Sequence, residues 1–260
     1  MDHSHVRGAG HRRVHQGFEG QIAIVTGAAQ GLGRAIATLL AQRGAAVHLA
    51  DLNGPGVEAA AAALRTQGLQ ATGHACDMAD EAAVAALRDD IAGAHGRLDI
   101  LINNAGGWRY ETIREVTVAN WDWTMRVNLL SAFVASRACM DMMIAQRYGR
   151  IVNVSSTDAY RPKPTLPVYA AAKAALISLT RTFAEELAPH QVLVNAVAPG
   201  AMATETAKSQ DWLAKRIPTI PVRRAAEPED MAELILFLAS RANRYVVGEC
   251  VIANGGALMA

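Results

Sequence analysis

Short apolar runs alternate with longer amphipathic stretches along the chain from residue 21 onward. Each run is hydrophobic at nearly every position, which is typical of parallel strands covered on both faces of a sheet. We therefore predict seven strands, at Ile22–Thr26, Ala46–Ala50, Gln70–Ala75, Leu98–Asn103, Arg150–Ser155, Val192–Val197 and Glu249–Ala253.

The stretches between these runs carry apolar residues at helical spacing. They predict helices at Leu32–Gln42, Val57–Thr66, Glu81–Ala92, Val118–Gln146 (two helices run together), Pro167–Leu187 and Pro228–Ala239. Strands that alternate with helices indicate βαβ units. The expected fold class is therefore α/β, a single-domain, Rossmann-like, doubly wound sheet of seven parallel strands with helices on both faces.

A single domain is expected over residues 18–260, because no linker or change in composition divides that stretch. Residues 1–17 are expected to form a disordered leader, since they are rich in histidine and arginine and lack the apolar run of a secretory signal. Metal binding by these histidines is the alternative, and we predict no metal site in the rest of the chain.

Composition and charge restrict the partners. The 260 residues are 51% hydrophobic and carry a formal net charge of +1, with acids and bases interspersed. This balance favours neither nucleic acid nor an anionic membrane as partner, and we expect no stretch that spans a bilayer. Cys76, Cys139 and Cys250 lie far apart in no metal-ligand spacing, which is typical of a reducing, cytoplasmic compartment.

A glycine-rich turn follows the first strand, where residues 26–33 read Thr-Gly-Ala-Ala-Gln-Gly-Leu-Gly. Glycines between a strand and a helix let the backbone approach a pyrophosphate, and the helix N-terminus presents free N–H groups to it. The turn predicts a dinucleotide site that includes Gly27, Gln30, Gly31, Leu32 and Gly33.

Polar and small residues follow the next three strands, whose carboxyl ends should converge on the same crevice. Asp51 ends the second strand, where a carboxylate accepts the ribose hydroxyls of NAD and repels the 2′-phosphate of NADP; the alternative is that it only caps the next turn. The turn contains no arginine or lysine, so we predict NAD as the cofactor. Further predicted contacts are Asp77 and Met78 at the adenine, and Asn104, Ala105 and Gly106 at a ribose.

A tyrosine and a lysine mark the predicted chemistry. Tyr169 and Lys173 are four residues apart on one helix face, and Ser156 ends a β-branched run upstream. A cation beside a phenol lowers the pKa of the phenol, so we expect Tyr169 to exchange a proton with an alcohol near neutral pH. The Tyr-x-x-x-Lys pattern is common by itself, so the inference depends on its surroundings.

The chain resembles the short-chain dehydrogenase/reductase family from residue 18 to its end. The matching motifs, in order, are Thr26–Gly33, Asn103–Gly106, Asn128, Ser156, Tyr169 with Lys173, Asn195–Thr204 and Asn254–Gly256. The resemblance implies that Tyr169 is the acid/base, that Ser156 stabilises the substrate oxygen, and that Lys173 lowers the phenol pKa and holds the nicotinamide ribose.

The same resemblance implies several further properties. Asn128 would kink its helix and hold a water in a proton relay. The residues over the nicotinamide would be Pro199, Gly200, Met202 and Thr204. The chain would form a homotetramer, or a homodimer, through its long apolar helices.

Substrate walls are expected from three segments that follow strand ends. Predicted substrate residues are Ser156, Trp108, Asp158, Tyr160 and Trp212, and Arg109 and Arg161 could meet an anionic group. The short last segment indicates a compact lid over a small or medium substrate.

We therefore expect an NAD-dependent dehydrogenase of a secondary alcohol, which could be a cyclic alcohol, a diol or a sugar-like polyol. The nearest alternative by resemblance is 3-oxoacyl-[acyl-carrier-protein] reductase, whose members usually prefer NADP. Glu185 and Glu186 lie at the end of the Tyr-Lys helix and would repel an acidic carrier. A non-catalytic dinucleotide sensor is a remote alternative, because such proteins tend to lose the tyrosine or the lysine.

Overall fold

The computed structural model describes residues 17–259 and contains one sheet of seven parallel strands. The strands lie in the order β3-β2-β1-β4-β5-β6-β7. Their bounds are β1 Ile22–Thr26, β2 Ala46–Asp51, β3 Ala71–Ala75, β4 Ile100–Asn103, β5 Gly149–Val154, β6 Val192–Pro199 and β7 Cys250–Ala253. The strand order reverses between β1 and β4, which opens a crevice at the carboxyl ends of these strands.

Helices cover both faces of the sheet. Their bounds are α1 Gly31–Gln42, α2 Gly54–Arg65, α3 Glu81–His95, α4 Val118–Met125, α5 Ser131–Ala145, α6 Pro167–Leu187, α7 Glu205–Lys208, α8 Asp211–Arg216 and α9 Pro228–Ala239. Helices α1, α2 and α9 bury their apolar faces in one core, and α3, α5 and α6 bury theirs in the other. The predicted fold class is confirmed.

The predicted strands agree with the observed ones to within two residues at each end. Strand β3 departs from the expected continuous burial, since Thr72 and Ala75 are exposed. It has only one neighbouring strand, β2, and lies at the edge of the sheet, where side chains meet solvent.

The stretch Val118–Ala145 corrects the expectation that no stretch of the chain is long and apolar enough to span a bilayer. It is 28 residues long with a mean hydropathy of 1.3, and by length and composition alone it could cross a membrane. Core helices of soluble proteins pass the same test, so it is weak evidence for a span. It comprises α4 and α5, joined by a π-helical turn at Arg126–Leu130, and α5 packs against the sheet through Val134 and Cys139.

Two short helices, α7 and α8, follow β6 and were not predicted. Both are mostly exposed, and neither is long enough to show a helical period in its sequence. A 3-10 turn, Ile217–Thr219, continues α8. Two further 3-10 turns lie at Thr157–Tyr160, after β5, and at Ala188–His190, after α6.

Three histidines from separate elements form a hydrogen-bonded group that we call the histidine cluster. His48 of β2 is 6% exposed, and its Nδ1 lies 2.9 Å from Nε2 of His74 in β3. Its Nε2 lies 3.0 Å from Nε2 of His95 at the end of α3. Burial and the neighbouring rings lower the pKa of His48 to about 4. Both ring nitrogens of His48 are therefore used within the cluster.

The predicted leader at residues 1–17 lies outside the described residues, apart from Gly17, and its histidines stay an untested expectation. Within residues 17–259, no group of three or more His, Cys, Asp or Glu side chains has the arrangement of a metal site.

Candidate active site

In the turn after β1, the backbone requires glycine at residues 27, 31 and 33. Gly27 and Gly31 have positive φ angles of 64° and 55°. A Cβ at Gly33 would lie 2.1 Å from the carbonyl oxygen of Gly27, and one at Gly27 would lie 2.9 Å from Cα of Ala105. The turn therefore packs directly against the segment that follows β4, across the reversal of strand order.

Helix α1 begins without a side-chain cap. Gln30 stands at the N-cap in an extended conformation and is exposed, and its side chain accepts no capping hydrogen bond. The first N–H groups of α1 therefore face the crevice with no side-chain partner from the cap residue, and the helix dipole favours an anion there. The turn and this helix end fit the pyrophosphate of a dinucleotide.

Asp51 lies at the end of β2 and faces the glycine turn. Its Oδ2 accepts a hydrogen bond from the backbone N–H of Ala29 at 3.1 Å, and its Oδ1 accepts one from Asn53 at 2.9 Å. The carboxylate thus caps the following turn and is also held beside the glycine turn. Each oxygen has a further acceptor position for a ribose hydroxyl.

Asp77 follows β3 and is already paired. Its Oδ2 lies 2.8 Å from Arg126, and its Oδ1 accepts the N–H of Ala79 at 2.9 Å. These hydrogen bonds hold the pKa of Asp77 below its usual value despite partial burial. Met78 beside it is buried. Contact of either residue with an adenine stays a prediction.

Asn104 fixes the segment after β4. Its Nδ2 donates to the carbonyl oxygens of Thr26 at 3.0 Å and Gly27 at 3.1 Å. The backbone N–H groups of Asn104 and Ala105 donate to the hydroxyl of Thr26. The glycine turn and the Asn104–Gly106 segment are therefore one rigid floor of the crevice.

Two adjacent serines at the end of β5 point in opposite directions. The hydroxyl of Ser155 donates to the carbonyl oxygen of Lys173 at 2.9 Å. Ser156 Oγ accepts the N–H of Asp158 at 3.1 Å and lies on the same cavity wall as Tyr169. Successive side chains of an extended segment alternate in direction, so only Ser156 faces the cavity described below with its hydroxyl free to act.

Helix α6 begins with Pro167 at its first turn and carries Tyr169 and Lys173 one turn apart. Lys173 is 3% exposed, and its Nζ donates to the carbonyl oxygen of Val154 at 2.8 Å. Burial lowers the pKa of Lys173 to about 8. We call Asn128, Ser156, Tyr169 and Lys173 together the site cluster.

The pKa of Tyr169 differs from the sequence expectation. Burial raises it to about 12, the hydrogen bond from Ser156 opposes this shift, and the charge of Asp158 adds to it. The ammonium of Lys173 lies 5.7 Å from the centroid of the tyrosine ring. Desolvation of the phenolate therefore outweighs the opposing effect of Ser156 on the pKa of Tyr169.

Asn128 lies in the π-helical turn between α4 and α5. Its Nδ2 donates to the carbonyl oxygens of Gly107 at 2.7 Å and Thr124 at 2.9 Å, and its Oδ1 accepts the N–H of Gly107 at 3.2 Å. A Cβ at Gly106 would lie 2.6 Å from this oxygen and 3.4 Å from Nζ of Lys173. Asn128 thus holds the Gly106–Gly107 backbone over Lys173.

The site cluster lies on the wall of a cavity of about 290 Å³. The segment after β6 supplies Pro199, Gly200, Met202 and Thr204 to the same wall, and the floor supplies Leu32, Asn104 and Gly106. The predicted substrate residues Trp108, Asp158 and Trp212 also line it. The Trp108 ring lies 6.1 Å from the ring of Tyr169.

Two residues considered for the substrate walls, Tyr160 and Arg109, do not line this cavity. Tyr160 does not line it, because the 3-10 turn after β5 directs its hydroxyl to Cys250 of β7. Arg109 does not line it either, because its guanidinium lies over the ring of Trp123, 4.2 Å from the centroid, and pairs with Asn120. Arg161 does line it.

Lys163 and Leu166 line the cavity but lie outside the predicted wall segments, whereas Tyr110, Thr206, Gln210 and Arg216 lie within the predicted segments 107–110 and 201–220 without having been singled out. Lys163 and Leu166 lie between Ser156 and Tyr169, so their position in the chain was the signal that could have found them. Arg216 lies on α8, and no pattern in the sequence marks its direction.

Comparison with known proteins agrees with this geometry. The sequence model for short chain dehydrogenases matches residues 21–213. The chain is 35% identical to 3-oxoacyl-[acyl-carrier-protein] reductase FabG of Aquifex aeolicus over 242 residues, which cover 92% of this chain and 98% of that protein. It is 36% identical to D-threitol dehydrogenase of Mycolicibacterium smegmatis over 245 residues, which cover 92% and 93% of the two chains.

A similar solved structure is that of a short-chain type dehydrogenase/reductase from Mycobacterium marinum. It has a TM-score of 0.89 and 29% sequence identity, and the alignment covers 95% of this chain and 98% of that one.

Proposed function

Because the chain belongs to the short-chain dehydrogenase family, an oxidoreductase family acting on hydroxyl and keto groups, we propose that it is an NAD(H)-dependent dehydrogenase of a small or medium secondary alcohol. The observation that carries the proposal is that Tyr169 and Ser156 lie together on the wall of one cavity next to the glycine turn. The pair sits where the reacting end of a dinucleotide in the crevice would meet a substrate.

Each residue of the site cluster has a separate role in the proposed alcohol oxidation. The Tyr169 phenolate removes the hydroxyl proton, and Ser156 donates a hydrogen bond to the oxygen on which negative charge develops. A bound oxidised nicotinamide supplies the hydride acceptor. The C–H bond thus gives up its electron pair as the C=O bond forms, and the proton leaves on Tyr169. In the reverse direction Tyr169 returns the proton.

Lys173 and Asn128 act on this chemistry through position and charge. The Lys173 ammonium has one donor on Val154, so two donors are free for a cofactor ribose. Asn128 holds Gly107 with both of its polar atoms, which keeps the backbone beside Lys173 in place. A relay through water at Asn128 stays a proposal.

NAD is proposed as the cofactor because of Asp51. Its carboxylate is held beside the glycine turn by the N–H of Ala29 and has acceptor positions left for two ribose hydroxyls. A 2′-phosphate there would meet a negative charge, and residues 27–33 and 52–56 contain no arginine or lysine that could compensate.

The cofactor proposal is tested by replacing Asp51 with serine. We expect the wild type to have a kcat/KM for NAD⁺ at least about tenfold above that for NADP⁺, a difference of about 1.4 kcal/mol. Asp51→Ser should remove most of this preference, because it removes the repulsion and two acceptors. Asp89→Ser, an exposed carboxylate paired with Arg88 on α3, is the matched control. An unchanged preference in Asp51→Ser would refute the assignment.

The reaction is tested by following NADH formation at alkaline pH with cyclic alcohols, diols and polyols, D-threitol among them. The similarity to D-threitol dehydrogenase favours the polyols within this panel. A chain that binds NADH but oxidises or reduces no member of the panel would favour the non-catalytic sensor.

The second candidate is a 3-oxoacyl-[acyl-carrier-protein] reductase, which the FabG relatives favour. Against it, Glu185 and Glu186 are exposed near the end of α6 and would repel an acidic carrier protein. Reduction of acetoacetyl-[acyl-carrier-protein] with NADPH, at a kcat/KM above that for any free alcohol or ketone, would decide for this candidate.

We also propose a homotetramer, or a homodimer, in the cytoplasm. A groove between the Val118–Ala145 stretch and α6 is lined by Met125, Leu129, Phe133 and Leu179, which are apolar and only partly buried. The three cysteines are free and buried, which suits a reducing compartment. A monomeric mass by light scattering would refute the oligomer.

A further inference from the structure

The outer wall of the cavity carries more basic than acidic side chains. Arg161 and Lys163 follow Ser156 in the chain, and Arg216 reaches the wall from α8. Asp158 is the one carboxylate on this wall among the described residues. Lys173 lies deeper and is engaged with Val154. The outer wall therefore has a surplus of two positive charges.

Asp158 makes no direct hydrogen bond with Arg161 or Lys163. Its Oδ1 lies 3.9 Å from Nε of Arg161 and 3.6 Å from Nζ of Lys163, distances longer than direct hydrogen bonds. Both bases therefore keep their donors for another acceptor. Within residues 17–259, Arg216 makes no ion pair. An arginine donates to carboxylate or phosphate through two parallel N–H groups, so this wall suits a planar or tetrahedral anion.

These bases belong to the substrate end of the cavity. A dinucleotide pyrophosphate is expected at the uncapped end of α1, on the other side of the reversal of strand order. Arg161 and Lys163 instead extend from the segment that carries Ser156, and Asp158 between them is near enough to affect the pKa of Tyr169. An anion held here would lie in the same cavity as the reacting hydroxyl.

We propose that the substrate of this site carries an anionic group, a carboxylate or a phosphate, that binds to Arg161, Lys163 and Arg216. This rests on the proposed function and narrows its substrate to charged alcohols. Trp108 and Trp212 line the cavity between the reacting centre and solvent, so the part of the substrate between carbinol and anion meets aromatic surface. If the anion is a carboxylate, the substrate is a hydroxy acid. If the anion is a phosphate, the candidate substrate is a hydroxyacyl thioester of coenzyme A.

The first experiment compares matched substrates of different charge. A series of β-hydroxy acids of increasing length, beginning with 3-hydroxybutyrate, is oxidised with NAD⁺ beside the corresponding primary amides and coenzyme A thioesters. We expect kcat/KM for the best acid or thioester to exceed that for its amide by about tenfold or more, the worth of one charged hydrogen bond. The proposal would be overturned if the amide were oxidised with the same kcat/KM as both charged forms.

The variants test whether the named bases cause the preference. Arg161→Gln with Lys163→Gln, and Arg216→Gln alone, should each lower the ratio of charged to neutral kcat/KM about tenfold. Asp158→Asn should raise that ratio, because it removes the competing carboxylate. Lys215→Gln is the matched control, since Lys215 neighbours Arg216 on α8, is exposed and does not line the cavity. An unchanged ratio in all base variants would overturn the assignment.

A binding measurement separates this proposal from the proposed function. Trp108 and Trp212 line the cavity, so their fluorescence should report the binding of acid or amide to the enzyme with NADH. Charge-selective binding that is lost in the base variants, without oxidation of any alcohol, supports the anion site and refutes the dehydrogenase. Oxidation of neutral alcohols without charge-selective binding does the reverse. A preference for the thioester over the acid that is lost in the base variants identifies phosphate as the anion.

Discussion

The histidine cluster and the site cluster each contain a buried ionisable side chain, His48 and Lys173, whose pKa is lowered for the same reason, but the two clusters differ in what surrounds that side chain. Burial lowers the pKa of His48 to about 4 and that of Lys173 to about 8. In the histidine cluster both ring nitrogens of His48 are within 3.0 Å of another ring. In the site cluster, Ser156 and Tyr169 face a cavity with their hydroxyls.

The difference shows that a perturbed pKa by itself does not identify a site. Burial disfavours any charged group, whether or not it does chemistry. What distinguishes the site cluster is unused bonding capacity beside enough space for a substrate. We therefore expect changes in the histidine cluster to alter stability and its pH dependence, and changes in the site cluster to alter turnover.

The largest expected effect is on turnover. Tyr169→Phe removes the group that takes the alcohol proton, so kcat should fall by about 10²- to 10⁴-fold while NADH binding stays nearly unchanged. Steady-state kinetics and a fluorescence titration with NADH measure the two quantities. Tyr245→Phe is the control, because Tyr245 is 95% exposed. Turnover close to wild type in Tyr169→Phe would remove the basis of the comparison.

The histidine cluster should make the fold sensitive to acid. The pKa of His48 is about 6.5 in the unfolded chain and about 4 in the fold, so between these values the unfolded chain binds more protons. Stability is therefore lost as pH falls through this window, by about 2 kcal/mol between pH 7 and pH 5. Burial lowers the pKa of His74 as well, and the charges of Asp90 and Glu58 only reduce that shift, so His74 adds to this loss.

Denaturant unfolding at several pH values measures this dependence. His48→Gln should have a flatter profile between pH 7 and pH 5, because the titrating group is gone. His190→Gln, in the 3-10 turn after α6, is a histidine substitution outside the cluster and should keep the wild-type slope. Equal slopes in wild type and His48→Gln would contradict the prediction.

Substitution of Lys173 should have the smallest effect of the three. It should also change stability and turnover in opposite directions. At pH 7 the charged ammonium is buried, so it opposes folding, and this cost disappears as pH rises from about 8 to 10.5. Lys173→Met should raise the free energy of unfolding at pH 7 by about 1–3 kcal/mol, less the lost hydrogen bond to Val154, while turnover falls. A variant less stable than wild type would show that Lys173 is structural.

The sequence predicted the fold well because backbone pattern decides it. Buried parallel strands are continuous apolar runs, and the glycines at residues 27, 31 and 33 are required by positive φ angles or close backbone contacts. The same reasoning placed Asp51 at a strand end beside this turn. These features depend on position along the chain, which the sequence shows directly.

The features that were missed depend on side-chain direction or on contacts between distant residues. Tyr160 was predicted at the cavity, but the 3-10 turn Thr157–Tyr160 directs its side chain to Cys250 instead. His48, His74 and His95 come together only because β2, β3 and α3 are neighbours. The raised pKa of Tyr169 could not be predicted, because it depends on how deeply the ring is buried.

The hydrogen bond from Ser155 to the carbonyl oxygen of Lys173 has a consequence for anyone who transplants or redesigns this site. It ties the end of a strand to the middle of a helix, so the spacing between hydroxyl and phenol is determined by strand register rather than by loop length. A shift of β5 by a single residue would exchange the two serines, leaving the anchoring hydroxyl in the cavity and the reactive one in the core. Insertions before Ser155 would therefore misplace both serines relative to α6.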